Sequence, residues 1–204
     1  MAELNEMLPE FDGFAVRYDP SLNPFFKAIL VENLRKLGTC DAGKTLLKLI
    51  ADARPRSRAD FLTGVNVRCE PKAIKYVQSG HATAGGFAAS ASDRHIAPNG
   101  CNHYIMGSSA NAALDPTASG DGTGSVCKMM FTNAQFLNSK GEMVTHPYIV
   151  LAHELIHSYH CLYGIKKPKD EELWATGIGI YAGEPMSENV FRTQLKLPPR
   201  LEYY

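Results

Sequence analysis

The stretch that decides the reading runs from His146 to Gly164, HPYIVLAHELIHSYHCLYG, and places His153, Glu154 and His157 in the order His-Glu-x-x-His. On an α-helix, residues four apart lie on one face a turn above each other. Two imidazoles so spaced can converge on a single Zn²⁺ at about 2.0 to 2.1 Å each. Glu154 sits about 100° further round the helix. It is badly placed as a third ligand, yet it can reach a water on the metal and act as its general base. With seven histidines in 204 residues, chance placement produces this pattern in on the order of 0.01 of such chains.

The same stretch predicts a buried helix. Thr145 is a candidate N-cap, Pro147 is tolerated in a first turn and Gly164 is a stop signal. Between them Ile149, Val150, Leu151, Leu155, Ile156, Tyr159, Leu162 and Tyr163 leave little polar surface. Ionisable groups inside so apolar a helix need partners, because an unpaired buried charge is far costlier than a hydrogen-bonded one. A metal is one such partner. Core histidines bonded to carbonyls around an ordinary glutamate are the competing reading.

Length and composition bound the rest. The chain of 204 residues suffices for one domain with a substantial core, and a single domain over 1–204 is expected. Lys plus Arg and Asp plus Glu are 21 each, so bulk charge points neither to nucleic acid nor to an anionic membrane. No apolar run approaches the length of a transmembrane helix. The start, Met1 to Pro9, carries Glu3 and Glu6 and does not read as a secretory signal peptide. Cytosolic action, or export by a route needing no such signal, is expected. The five cysteines, Cys40, Cys69, Cys101, Cys127 and Cys161, are unclustered and read as reduced thiols. Cys101 beside His103 is the one local hint of thiol chemistry.

Along the chain, residues 1–20 read as an irregular lead-in, with Phe14 to Tyr18 as an edge strand. From Ser21 to Gly38 the apolar positions Phe25, Phe26, Ile29, Leu30, Leu34 and Leu37 predict a helix. A second follows from Ala42 to Ala53 on Leu46, Leu47, Leu49 and Ile50, stopped by Pro55. Phe61 to Cys69, Ala73 to Gln78, His103 to Met106 and Val126 to Phe131 are strand candidates. Gly120-Asp121-Gly122-Thr123-Gly124 lacks the ligands of a phosphate or calcium loop and reads as a hairpin turn. His81 and His95 fall in turn-rich sequence and are expected to face solvent.

A catalytic zinc needs a third protein ligand. His160 lies seven residues from His153, about 10.5 Å along a helix axis, too far for three imidazoles to meet one ion. Better candidates follow a short loop. Asp170 can cap a second helix that begins Glu171-Glu172-Leu173-Trp174. Consecutive carboxylates cannot point the same way, so one can take the metal while the other supports the site from behind. Alternatively both are acidic residues favoured in a first turn by the helix dipole.

These residues match known families. His153-Glu-Leu-Ile-His157, followed by His160, Leu162-Tyr163-Gly164, Glu171-Glu172-Leu173 and Thr176-Gly177, resembles the zinc-site core of clostridial neurotoxin light chains. The chain more closely resembles the NleD-like zinc protease effectors of bacterial type III secretion systems. That likeness extends to Ser187-Glu188-Asn189, Arg192 and Leu197-Pro198-Pro199-Arg200, and its motif part covers residues 145–204. The resemblance implies Glu172 as the zinc ligand and Glu171 as its outer partner. It also implies that Arg200 and Tyr203, spaced Arg-x-x-Tyr, polarise the scissile carbonyl and stabilise the oxyanion, with Tyr204 adjoining as an alternative.

The expectation is therefore an α+β, zincin-like single domain: N-terminal helices, a small twisted mixed sheet, the His-Glu-x-x-His helix and a C-terminal helical segment. The expected activity is zinc-dependent endopeptidase of the gluzincin type. His153, His157 and Glu172 hold Zn²⁺, Glu154 is the base, and Arg200 and Tyr203 stabilise the oxyanion. The resemblance implies a monomeric effector delivered into a host cytoplasm, and a host protein as substrate, with stress-activated MAP kinases cut in their activation loops. A zinc hydrolase of non-peptide amides and a non-catalytic binding module are the alternatives.

Overall fold

Residues 4–18 form a hairpin where an irregular lead-in was expected. Strand β1 (Leu4–Met7) pairs antiparallel with β2 (Phe14–Tyr18), in register Leu4 to Tyr18 and Met7 to Ala15. The reversal is set by Asp12-Gly13, a strong turn signal. Leu8 N–H donates to the Phe14 carbonyl at 2.9 Å, and Gly13 takes φ 83°, where an added Cβ would lie 3.0 Å from the Ile50 carbonyl oxygen. Leu4-Asn5-Glu6-Met7 does not alternate, and Leu4 and Met7 are both exposed, so no two-residue period marks β1. Its presence makes β2 an interior strand, not an edge. Here Phe14, Val16 and Tyr18 are buried.

The computed structural model describes residues 4–21, 24–53, 65–69, 103–107, 125–129, 146–165, 167 and 169–202. After the hairpin come α1 (Phe26–Leu37) and α2 (Asp41–Asp52), then β3 (Val65–Cys69), β4 (His103–Gly107) and β5 (Ser125–Met129). The sheet is five-stranded and mixed, in order β1-β2-β3-β5-β4. β2, β3 and β5 run parallel, with antiparallel partners β1 and β4 at the two edges. A parallel neighbour requires a crossover, and α1 and α2 lie in the one between β2 and β3. The expected strand at Ala73 to Gln78 and the turn at Gly120 to Gly124 fall outside the described residues.

Helix α1 buries Phe26, Leu30, Leu34 and Leu37, an i, i+4, i+8, i+11 stripe. Phe25, expected in that stripe, is 69% exposed. It precedes the helix as its N-cap, so its side chain is not carried on the apolar face. Helix α2 buries Ala42, Gly43, Leu46 and Ile50. Gly43 sits where a Cβ would collide with the Leu37 carbonyl, which lets α2 start tight against the end of α1.

The long helix α3 (Pro147–Leu162) is the centre of the molecule, touching α1, α2, β4 and β5. Ile149, Leu151, Leu155 and Ile156 are 1% exposed or less, each contributing roughly 1.5 to 3 kcal/mol through burial. The helix ends at Gly164, φ 65°, with Ile165 N–H returning to the His160 carbonyl at 2.9 Å. That is a left-handed glycine stop. Two short helices complete the chain, α4 (Glu171–Thr176) and α5 (Glu188–Gln194), separated by a 3₁₀ turn at Gly179–Tyr181. Both touch α3. Among the described residues no helix is long and apolar enough to cross a membrane.

Candidate metal centre

Two turns of α3 and the first turn of α4 bring three donor atoms together. His153 Nε2 and His157 Nε2 are 3.1 Å apart, and Glu172 Oε2 is 3.1 Å from each. A tetrahedral ion with bonds of about 2.0 to 2.1 Å spaces its ligands at about 3.3 to 3.4 Å. The triangle is within a few tenths of an ångström of that spacing. His153 and His157 are buried, at 3% and 4% exposure, while Glu172 is half-exposed and closes the site from outside.

The hydrogen bonding behind the rings fits a cation. His157 Nδ1 lies 2.8 Å from Glu171 Oε1, and His153 Nδ1 lies 3.0 Å from Glu188 Oε2. An ionised carboxylate only accepts, so His157 Nδ1, bonded to Glu171, carries a proton, and that ring when neutral turns its Nε2 lone pair inward; behind His153, Glu188 stands at ion-pair distance. The two Nε2 atoms and a carboxylate oxygen then converge on one point. That donor set suits Zn²⁺, and a proton is the other cation able to occupy it.

Glu171 and Glu172 divide the work because they stand about 100° apart on α4. Glu172 faces the imidazole Nε2 atoms. Glu171, buried, accepts from His157 Nδ1 and from His160 Nδ1 at 2.7 Å on one oxygen, and from Lys167 N–H at 2.9 Å on the other. Burial alone would raise its carboxyl, but the bonds from His157 and His160 outweigh it and hold it at about 2. Glu172 is likewise held below the ordinary carboxylate range, desolvation being outweighed by His153 and His157. Desolvation pushes His157 down, yet Glu171 and Glu172 raise it overall. In His160 burial wins and the ring is pushed down. It stacks on Trp174 at 3.8 Å and does not reach the triangle. His157, His160 and Glu171 also cluster, but both rings approach the same oxygen at hydrogen-bond distance, an arrangement that shares protons rather than a metal.

Glu188 is the site residue to which spacing gives no role. It is 2% exposed and opens α5. Its Oε1 accepts from Arg192 Nε at 2.7 Å, and its Oε2 accepts from Arg200 Nη1 at 3.2 Å while facing His153. Desolvation would raise this carboxyl; His153 first, then Arg200 and Arg192, hold it below the usual range. The available sequence signal was Glu188-x-x-x-Arg192, an i, i+4 ion pair beside the buried Phe191.

Of the residues singled out from sequence, His153, His157, Glu171 and Glu172 come together. Glu154 is buried on α3 beside His153 in the chain, 4% exposed. Arg200 joins them through Glu188. Tyr203 and Tyr204 lie outside the described residues, as do Thr145, His81, His95 and Cys101.

No family model matches the chain, and no curated protein matches it in sequence. Among solved structures, the botulinum neurotoxin type D light chain superposes with a TM-score of 0.50 at 17% identity, over 95% of this chain and 63% of that one. The catalytic domain of Clostridium botulinum neurotoxin serotype F gives a TM-score of 0.44 at 14% identity, over 85% and 58%. The chain thus spans less than two thirds of the light chain's length. What it shares with the type D light chain is the fold, a mixed sheet with helices.

Proposed function

We propose that this protein is a zinc-dependent endopeptidase. The observation that carries the reading is the triangle of His153 Nε2, His157 Nε2 and Glu172 Oε2, backed by carboxylates on both Nδ1 atoms and adjoined by the buried Glu154. A Zn²⁺ held there would supply Lewis acidity and lower the pKa of a water to about 7. Glu154 would accept the proton of a water attacking the peptide carbonyl and return it to the departing amide nitrogen. The C–N bond breaks, and a carboxylate and an amine leave. Arg200 supplies cationic N–H donors where the carbonyl oxygen gains charge, and the resemblance adds Tyr203 as a second donor.

The motif likeness supports a finer reading, an NleD-like effector that leaves its cell by a type III route. It acts as a monomer in a host cytoplasm on a host protein, a stress-activated MAP kinase cut in its activation loop. Neither nucleic acid nor a membrane is part of that reading. Glu154→Gln removes the base while preserving shape. It is expected to keep one zinc per chain and the wild-type melting temperature, and to lose at least about 10²-fold in cleavage. Mass spectrometry of host lysate treated with wild type and variant reads both levels: new termini confined to wild type support the proposal, and equal cleavage by Glu154→Gln sinks it.

A further inference from the structure

Arg200 stands on an extended C-terminal segment with no regular secondary structure, yet it meets a buried carboxylate on α5. Something must fix the main chain that carries it. Asn189 does so with both ends of its amide. Its Oδ1 accepts from Arg200 N–H at 2.7 Å and its Nδ2 donates to the Arg200 carbonyl at 2.9 Å. The side chain thereby imitates the paired hydrogen bonds of an antiparallel strand. This pairing settles which amide atom is oxygen, since exchanging the two would set donor on donor and acceptor on acceptor. The same Nδ2 lies 3.3 Å from the carbonyl of Gly177, the residue that ends α4, on which Glu171 and Glu172 stand. Its chain neighbour Glu188 holds the Arg200 guanidinium and faces His153.

We propose that Asn189 is a positioning residue: it ties the Arg200 main chain to the helix bearing the third metal donor, so that the guanidinium and the metal triangle keep one fixed relation. The inference deepens the endopeptidase reading and rests on it. Glu188, with the Glu202 carbonyl that accepts from Arg200 Nε at 3.1 Å, holds only the guanidinium end of Arg200. Glu188 and Asn189 together fix both ends of it. The segment is further held by Leu197 N–H on the Arg192 carbonyl at 2.7 Å and Arg192 Nη1 on the Pro198 carbonyl at 3.3 Å, so losing Asn189 frees its distal part without detaching the whole.

The test uses the full chain with Asn189→Ala, Asn189→Asp, Arg200→Ala and the double variant Asn189→Ala/Arg200→Ala. Hydrogen exchange of the Arg200 amide is measured on metal-free and zinc-loaded protein, and turnover on a quenched-fluorescent peptide library. Asn189→Ala is expected to lose the amide's protection while binding one zinc per chain, and to lower kcat between about 10- and 100-fold with KM within about twofold. Asn189→Asp keeps the acceptor but neither donation, and should fall between wild type and Asn189→Ala in exchange. In the Arg200→Ala background the further loss from Asn189→Ala should be under about twofold, since the two act as one unit. Unchanged protection at Arg200 overturns the proposal whether or not the wild type cleaves peptide, and so does a fully additive loss in the double variant. Lost protection in a protein whose wild type cleaves nothing supports the anchor and sinks the endopeptidase reading instead.

Discussion

Glu188→Ala puts the organisation of the site to a quantitative test. The carboxylate is 3% exposed and faces three nitrogens: Arg192 Nε at 2.7 Å, His153 Nδ1 at 3.0 Å and Arg200 Nη1 at 3.2 Å. Removing one partner of a buried ion pair costs about 3 to 5 kcal/mol, because the other charge is left in place. Arg192 is itself buried, at 7% exposure, so the upper part of that range applies. For a chain of 204 residues, about 2 to 4 °C of melting temperature per kcal/mol turns about 4 to 5 kcal/mol into a fall of about 8 to 20 °C. Glu188→Gln should not rescue it, since all three partners are donors and the amide NH₂ must face at least one of them. Losing the carboxylate behind His153 should also weaken zinc binding by about 10- to 100-fold. Urea unfolding of the metal-free variants, followed through Trp174, gives the first quantity, and chelator competition gives the second. A Glu188→Ala protein within about 1 kcal/mol of wild type and within twofold in zinc affinity would refute the shared-carboxylate account.

Other outcomes follow from the same geometry. Gly177 takes φ 78° and an added Cβ would strike the Ser187 side chain; Gly177→Ala should cost at least about 1 kcal/mol, and an unchanged melt would contradict that packing. Zinc should displace a proton: Glu171 and Glu172 raise His157 over the opposing desolvation, so the metal-free ring stays charged to higher pH than a free imidazole. Affinity should then fall as pH drops below that raised value, by about tenfold per unit for each proton displaced. Calorimetry in buffers of different ionisation heat reads the proton count, and a count of zero would refute the donor assignment.

How much was legible in the sequence differs by element, for physical reasons. The α3 helix was readable because its ends carry Pro147 and Gly164 and its interior is apolar on nearly every side. The α1 stripe was readable too, except at Phe25, where the helix starts one residue later than the pattern of large apolar residues suggests. Strand β1 was hidden, since Leu4 and Met7 are exposed and only Asp12-Gly13 signals the reversal. At the site, the convergence of His153 and His157 follows from spacing on one helix. The separate roles of Glu171 and Glu172 do not, because they depend on how α4 is turned. That orientation is set by Asp170, which enters the helix at φ 62°, and by His160 and Lys167 claiming Glu171. Glu188 was masked for a similar reason: from sequence its partner is Arg192, and only tertiary packing supplies His153 and Arg200.

The balance of charge at the site explains why these groups are found together. Glu171, Glu172 and Glu188 bring three negative charges to the histidines, and Arg192 and Arg200 bring two positive ones to Glu188. The Lys167 ammonium lies over the Trp174 and Tyr181 rings, 4.1 and 4.5 Å from their centroids, and is ion-paired with none of these carboxylates among the described residues. With neutral imidazoles the cluster is short of one positive charge. Burying such an excess costs several kcal/mol per unpaired ion, which no amount of packing around Leu155 and Ile156 readily offsets. A proton on one imidazole can supply the missing charge by donating from Nε2 to Glu172 Oε2 at 3.1 Å, but a second would set N–H against N–H across the 3.1 Å between the Nε2 atoms. A divalent cation held there would supply positive charge at one point and meet the three converging atoms at once. On the proposed reading the network would stabilise the fold most with a metal bound, and the same ion that would activate a water would hold α3 and α4 together.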